Sequence, residues 1–96
     1  MRLSENERQA IVETVGKLDP NAEVYLYGSR TDDTASGGDI DLLVLSSILG
    51  FTDKVDILID IKNRIGEQKI DLSFKTAAEA QSDAFFRDVM KKAVRL

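Results

Sequence analysis

Ile40-Asp41-Leu42-Leu43-Val44-Leu45, opened by Asp39 and Asp41 and closed by Ser46-Ser47, restricts the architecture more than any other stretch. A short apolar run bounded by polar residues reads as a strand. Upstream, Glu23-Val24-Tyr25-Leu26-Tyr27 is aromatic and β-branched, a strand that ends at Gly28. Downstream, Ile70 to Phe74 reads as another. Helical signals separate and flank the three.

Ser4 and Glu7 have the spacing of a reciprocal capping box, and Leu3 is placed to pack back on the first turn. Behind them Ile11, Val12, Val15 and Leu18 step by three or four residues along one stripe, predicting a helix over 5–18. Asp19-Pro20-Asn21 stops it, because proline lacks an amide hydrogen and disfavours a helical residue before it. Residues 30–38 read as a loop or short helical turn. Over 53–65, Val55, Ile57, Ile59 and Ile61 alternate like a strand, yet Val55, Leu58, Ile61 and Ile65 also make a helical face. Helix is favoured, with Thr52 or Asp53 as N-cap and Gly66 as C-cap, because parallel flanking strands need a crossover. Residues 82–93 predict a final helix with Phe85, Phe86, Val89, Met90 and Ala93 on its apolar side, and 94–96 a short extended end. The order α, β, turn, β, α, β, α implies an α/β sheet supported by helices.

Ninety-six residues predict one domain, 1–96, with a modest core. The absence of Cys and His removes thiol nucleophiles, disulfides and the usual zinc ligand sets, leaving carboxylates as the metal ligands on offer. Thirteen Lys and Arg against seventeen Asp and Glu give a net charge of −4, a poor default for a direct nucleic-acid partner. No apolar run approaches the length of a membrane span, so the cytoplasm is the simplest expected location. Gly37-Gly38 precedes a strand, whereas a dinucleotide fingerprint follows one, and no P-loop is present.

Asp39 and Asp41 are two apart at the start of a strand and so leave the same face. Neighbouring carboxylates repel, and a divalent cation or shared proton relieves the repulsion. Mg²⁺, or equally Mn²⁺, prefers such oxygen donors together with substrate phosphates. Ile70-Asp71-Leu72 echoes Ile40-Asp41-Leu42, so if the strands are neighbours Asp71 joins the pair. That set fits a two-metal site for phosphoryl or nucleotidyl transfer. Each part alone has an ordinary explanation: a strand start, an edge carboxylate paired with Lys69 or Lys75, a turn. Gly28 permits a close backbone turn, and the Ser29 hydroxyl and adjacent amides can hold phosphate where a short helix starts. Arg30 can meet a phosphate or pair with Asp32 or Asp33. Tyr25 and Tyr27 share a sheet face and receive no catalytic role.

Together Gly28-Ser29-Arg30, Gly38-Asp39-Ile40-Asp41-Leu42 and Ile70-Asp71-Leu72 resemble the nucleotidyltransferase superfamily that includes DNA polymerase beta and kanamycin nucleotidyltransferase. The length resembles the minimal nucleotidyltransferases, often encoded beside a HEPN-domain protein as a toxin–antitoxin pair. The spacer from Ser29 to Asp39 is one residue shorter than the family's, and Ser36-Gly37-Gly38 replaces the proline and extra acid often found there. The resemblance implies a small mixed sheet with supporting helices, the polymerase-beta-like nucleotidyltransferase fold. Asp39, Asp41 and Asp71 would be the catalytic, metal-binding residues, and Gly28, Ser29 and Arg30 would contact the nucleotide's phosphates. It further implies Mg²⁺ as cofactor, ATP as substrate and AMP transfer to a hydroxyl, a tyrosine of a HEPN toxin, which supplies the acceptor geometry. A non-catalytic antitoxin that caps its partner and a small-molecule nucleotidyltransferase are the alternatives. Self-association is left open.

Overall fold

The computed structural model describes residues 3–31 and 38–96, and of Ser29 the backbone. Asp32 and Asp33, offered above as partners of Arg30, lie outside the described residues, as does most of the loop expected over 30–38.

Helix α1 spans Glu5–Leu18 and starts as its sequence dictates. Ser4 Oγ accepts from the Glu7 amide at 3.1 Å, and Glu7 Oε1 accepts from the Ser4 amide at 2.9 Å. Ile11 and Val15 are buried, whereas Leu18, placed in the same stripe by its spacing, is the last residue of the helix and is 46% exposed. Asp19 then turns inward. Its Oδ2 accepts from the Ser46 hydroxyl at 2.5 Å and its Oδ1 from the Asn21 amide at 3.0 Å. Ser46 Oγ in turn accepts from the amides of Ile48 and Leu49, so one buried network fastens the end of α1 to the end of a central strand.

Strand β1 spans Glu23–Tyr27 and runs into a 3₁₀ turn, Gly28–Thr31. Strand β2 is Ile40–Leu45, helix α2 is Phe51–Ile65, and strand β3 is Ile70–Lys75, one residue longer than expected. Helix is therefore the outcome for the ambiguous segment: α2 carries the chain between β2 and β3, which are parallel. Its start differs from the expectation. Gly50 rather than Thr52 or Asp53 is the N-cap, and Asp53 Oδ2 accepts the Gly50 amide at 2.9 Å, so the acidic residue serves from the third helical position. Gly66 closes the helix with φ +87°, as expected.

The helix expected over 82–93 is α4, Ala84–Lys92, and a short helix the sequence reading does not anticipate, α3 (Ala77–Ser82), precedes it. Asp83 divides them by leaving helical geometry and accepting from the amides of Phe85 and Phe86. The extended end becomes strand β4, Val94–Arg95, antiparallel to β1.

The sheet order is β3-β2-β1-β4, mixed because β1 opposes both neighbours while β2 and β3 run together. Helices α1 and α2 cover one face. Ile11, Val15, Ile57 and Ile61 pack there on Val24, Leu26, Ile40, Leu42, Val44 and Leu72. Helices α3 and α4 meet the opposite face less completely, and no residue of α4 is fully buried. No helix among the described residues is long and apolar enough to cross a membrane.

Candidate active site

Side chains alternate along a strand, so burying Ile40, Leu42 and Val44 under α1 and α2 forces Asp41 to the opposite face. The same alternation turns Asp71 and Ser73 that way on β3 and Tyr27 on β1. Register then aligns them. Asp41 pairs with Asp71 across the parallel ladder and with Tyr27 across the antiparallel one, so three polar side chains form a row across three strands. The Ile40 amide donates to the Lys69 carbonyl at 3.0 Å and fixes the starting ends of β2 and β3 together.

Gly28 follows Tyr27 with φ +76°, the left-handed region that glycine adopts without penalty. A Cβ there would collide with Asp41 Oδ2 and lie 3.2 Å from its Cγ. Glycine is therefore required twice, for the turn and for the approach of β1's end to the carboxylate. Its carbonyl accepts from the Thr31 hydroxyl at 2.7 Å, which tightens the turn.

Burial pushes the Asp41 carboxyl above its ordinary range, helped by the charges of Asp71 and then Asp39, while Lys69 pulls it back. The Tyr27 phenol is also pushed up, first by burial and then by Asp41 and Asp71, against a side-chain hydrogen bond with Ser73. Negative charge is thus concentrated where β1, β2 and β3 meet. Asp39 precedes β2 and is drawn aside, its Oδ2 lying 3.5 Å from Lys69 Nζ. Both partners are well exposed, and such pairs contribute only about 0–1 kcal/mol, so turning Asp39 away from Lys69 costs little.

Arg30 is braced. Its Nε donates to the Gly38 carbonyl at 3.2 Å and its Nη2 to Gln68 Oε1 at 3.4 Å. Gln68 Nε2 donates to Glu7 Oε2 at 2.6 Å, so this chain of contacts joins the 3₁₀ turn to the entry of β3 and to α1. The guanidinium here holds the site's frame together. The Ser29 side chain lies outside what the structure describes.

Carboxylates are hard oxygen donors and their mutual repulsion is what a dication relieves, so the donor chemistry of Asp39, Asp41 and Asp71 fits Mg²⁺ or Mn²⁺. As the side chains stand, no group of three acidic residues among the described residues is gathered closely enough to hold an ion. Asp39 is instead engaged by Lys69.

Two grooves flank the row. One, about 690 Å³, lies on the β1 side between Tyr27, Gly28 and Thr31 and the α4 residues Phe85, Val89 and Lys92. The other, about 330 Å³, lies on the β3 side, where Phe51 and Lys54 of α2 meet Ser73, Lys75 and Phe86. Phe86 stands between them, edge-on to Tyr27 with ring centroids 6.5 Å apart.

A three-carboxylate strand motif beside a glycine turn on a mixed sheet defines a class of phosphate-transferring domain, and the sequence comparison agrees. The family model described as nucleotidyltransferase domain matches residues 8–96, and the chain belongs to that family, within the polymerase-beta-like superfamily. Its activity is accordingly nucleotidyl transfer. No curated protein gives a significant match to the chain.

Tyr27, Lys69 and Ser73 belong to this neighbourhood although the sequence alone assigns them no functional role. Parity carried a usable signal for two of them: Tyr27 immediately precedes Gly28, and Ser73 follows Asp71 by two. Lys69 reaches Asp39 through strand register, which one-dimensional spacing does not report.

Proposed function

We propose that the protein transfers AMP from ATP, with Mg²⁺ or Mn²⁺, to a tyrosine hydroxyl of a partner HEPN toxin and thereby acts as its antitoxin. The observation that carries the transfer chemistry is the in-register pairing of Asp41 with Asp71, with Gly28 held against Asp41. Asp39, Asp41 and Asp71 would hold the metal, which when bound supplies positive charge against the phosphate oxygens.

The residues of the chain have separate tasks in this reading. Gly28 brings backbone close to the β- and γ-phosphates, and the Ser29 amide and hydroxyl extend that contact. Asp71, on the β3 side, takes the proton of the acceptor hydroxyl. The acceptor oxygen bonds to the α-phosphorus, the bridge between the α- and β-phosphates breaks, and pyrophosphate leaves. The raised affinity of Asp41 for a proton comes first from its burial and then from the charges of Asp71 and Asp39 beside it.

Support for a protein acceptor comes from an exposed apolar stripe on α2. Phe51, Val55 and Ile59 lie one helical turn apart on α2 and are 83%, 62% and 51% exposed, with Ile48 just ahead at 66%. Contiguous exposed apolar surface of this kind marks protein interaction sites. Phe51 also lines the groove that contains Ser73, so a partner seated on this stripe reaches the acceptor side of the row.

The test mixes the protein with ATP, Mg²⁺ and the purified product of its genomic neighbour, followed by intact-mass and peptide analysis. One or more AMP units on a tyrosine of the neighbour are expected, lost with Asp39→Asn plus Asp41→Asn. A stable complex without added mass would replace this reading with a capping antitoxin. Neither complex nor modification would remove the partner and return the acceptor to a small molecule.

A further inference from the structure

The larger groove contains residues for which the transfer reading provides no task. Its lining is apolar through Tyr27, Phe85 and Val89 and cationic through Lys91 and Lys92. Asp88 also faces it but lies 3.4 Å from Lys91 in an ion pair, while Lys92 has no ion-pair partner among the described residues. Strand pairing explains why these lysines lie where they do. Leu26 pairs with Val94 and Tyr25 with Arg95, so the chain entering β4 runs alongside the end of β1, bringing Lys92 level with Gly28. Gly28 is a wall of the groove as well as the neighbour of Asp41. Lys92 therefore adjoins the glycine turn, and Phe85, seven residues earlier, lies at the other end of α4. Phe85 is 60% exposed there, its ring held edge-on to Phe86 at 4.9 Å.

A polyanion carrying a planar aromatic group matches this arrangement in charge, shape and size, since a cleft of about 690 Å³ is within the range that holds small-molecule ligands. We infer that this groove is the seat of the nucleoside triphosphate, with Lys92 and Lys91 on the β- and γ-phosphates and Phe85 as the shelf for the base. The inference rests on the nucleotidyl-transfer reading and adds to it binding residues that lie outside the glycine turn and the three aspartates. It also gives direction to the site. Nucleotide enters on the β1 side, so the acceptor approaches from the β3 side, across the row.

The competing account of Lys91 and Lys92 is that they offset the negative end of the α4 dipole, where cations are favourable. That account predicts lost stability and unchanged nucleotide binding. The two are separated by calorimetric titration of the full chain, in Mg²⁺, with a nonhydrolysable ATP analogue and, separately, with AMP. Lys91→Gln plus Lys92→Gln is expected to weaken the triphosphate analogue about tenfold or more while leaving AMP within about twofold, because AMP lacks the phosphates these lysines hold. Phe85→Ala should weaken both ligands by a similar factor, roughly tenfold, as loss of a stacking surface does. Lys17→Gln, an exposed cation at the end of α1, is the charge control and should change neither.

Unchanged affinity for the triphosphate in the lysine variant, with or without a lower melting temperature, overturns the inference while leaving the transfer reading standing. Equal weakening of AMP and triphosphate by the lysine variant overturns the phosphate assignment, and full affinity in Phe85→Ala overturns the shelf. A lysine variant that loses the genomic partner but keeps nucleotide assigns the groove to a protein instead. Failure of the unaltered protein to bind either ligand would overturn both this inference and the reading on which it rests.

Discussion

On one face of the sheet Val24, Leu26, Ile40, Leu42, Val44 and Leu72 are packed under α1 and α2 with 5% exposure or less. On the other, the same strands present Tyr27, Asp41, Asp71 and Ser73, and of these none is fully buried. Even-numbered positions of β1, β2 and β3 thus make the core, and odd-numbered positions make the working surface. Leu43, fully buried, is the odd-numbered exception that gives this surface an apolar footing. A slip of one residue in any strand would exchange the two sets, sending Asp41 into the core and Leu42 to solvent. The core therefore fixes the position of the aspartates although it never touches substrate.

The division can be tested from both sides. Asp39→Asn with Asp41→Asn should reduce transfer by at least about a hundredfold, measured as pyrophosphate release, because charge placed for the transition state is removed. Its melting temperature should hold or rise. The sign follows from Asp41, whose folded carboxyl binds its proton more tightly than the ordinary value of 3.8. That preference favours the folded state at pH values below about 3.8 and is lost as pH rises through the raised folded value. In chelator, the stability advantage of Asp41→Asn over the parent should therefore be absent at the acid end and grow above it. An unfolding midpoint that falls at neutral pH would erase the distinction between the faces.

Leu42→Ala, one residue from Asp41, should do the reverse. Truncating a fully buried leucine costs about 2–5 kcal/mol in chemical denaturation, and whatever fraction remains folded should retain transfer. Gly28→Ala belongs to both sides. The left-handed φ alone costs about 1–3 kcal/mol, and displacement of the Asp41 carboxylate should depress transfer beyond that loss, so activity normalised to folded protein is the decisive measurement. The smallest effect is expected from Lys69→Gln. Stability should change by less than about 1 kcal/mol, while release of Asp39 should tighten Mn²⁺ binding in a titration followed by paramagnetic relaxation.

Local chemistry made much of this legible in the sequence. Ser4 and Glu7 start α1 through a contact three residues long, and the apolar run from Ile40 to Leu45 is the strand it reads as. Thr76 and Glu79 have the same capping-box spacing and open α3, a start overshadowed by the stronger periodicity beyond Ser82. Asp83 looks like an ordinary helical position until its carboxylate is seen capping Phe85 and Phe86. The aspartate row was foreseeable only conditionally, on β2 and β3 being neighbours. Asp19 with Ser46, and Lys69 with Asp39, join residues that no periodicity relates, since tertiary packing alone brings them together.

The parallel pairing of β2 with β3 also has a kinetic consequence. Asp41 and Asp71 stand thirty residues apart in the chain and meet only when the loop containing α2 has closed. Closing such a loop costs entropy before any contact repays it, and here the last approach also brings like charges together. The site's repulsion is thereby placed on the route to the native state, at the moment the parallel ladder zips. Removing one of the two charges should quicken refolding, and a dication that prefers the assembled row should act as a folding ligand for the very strands that bind it.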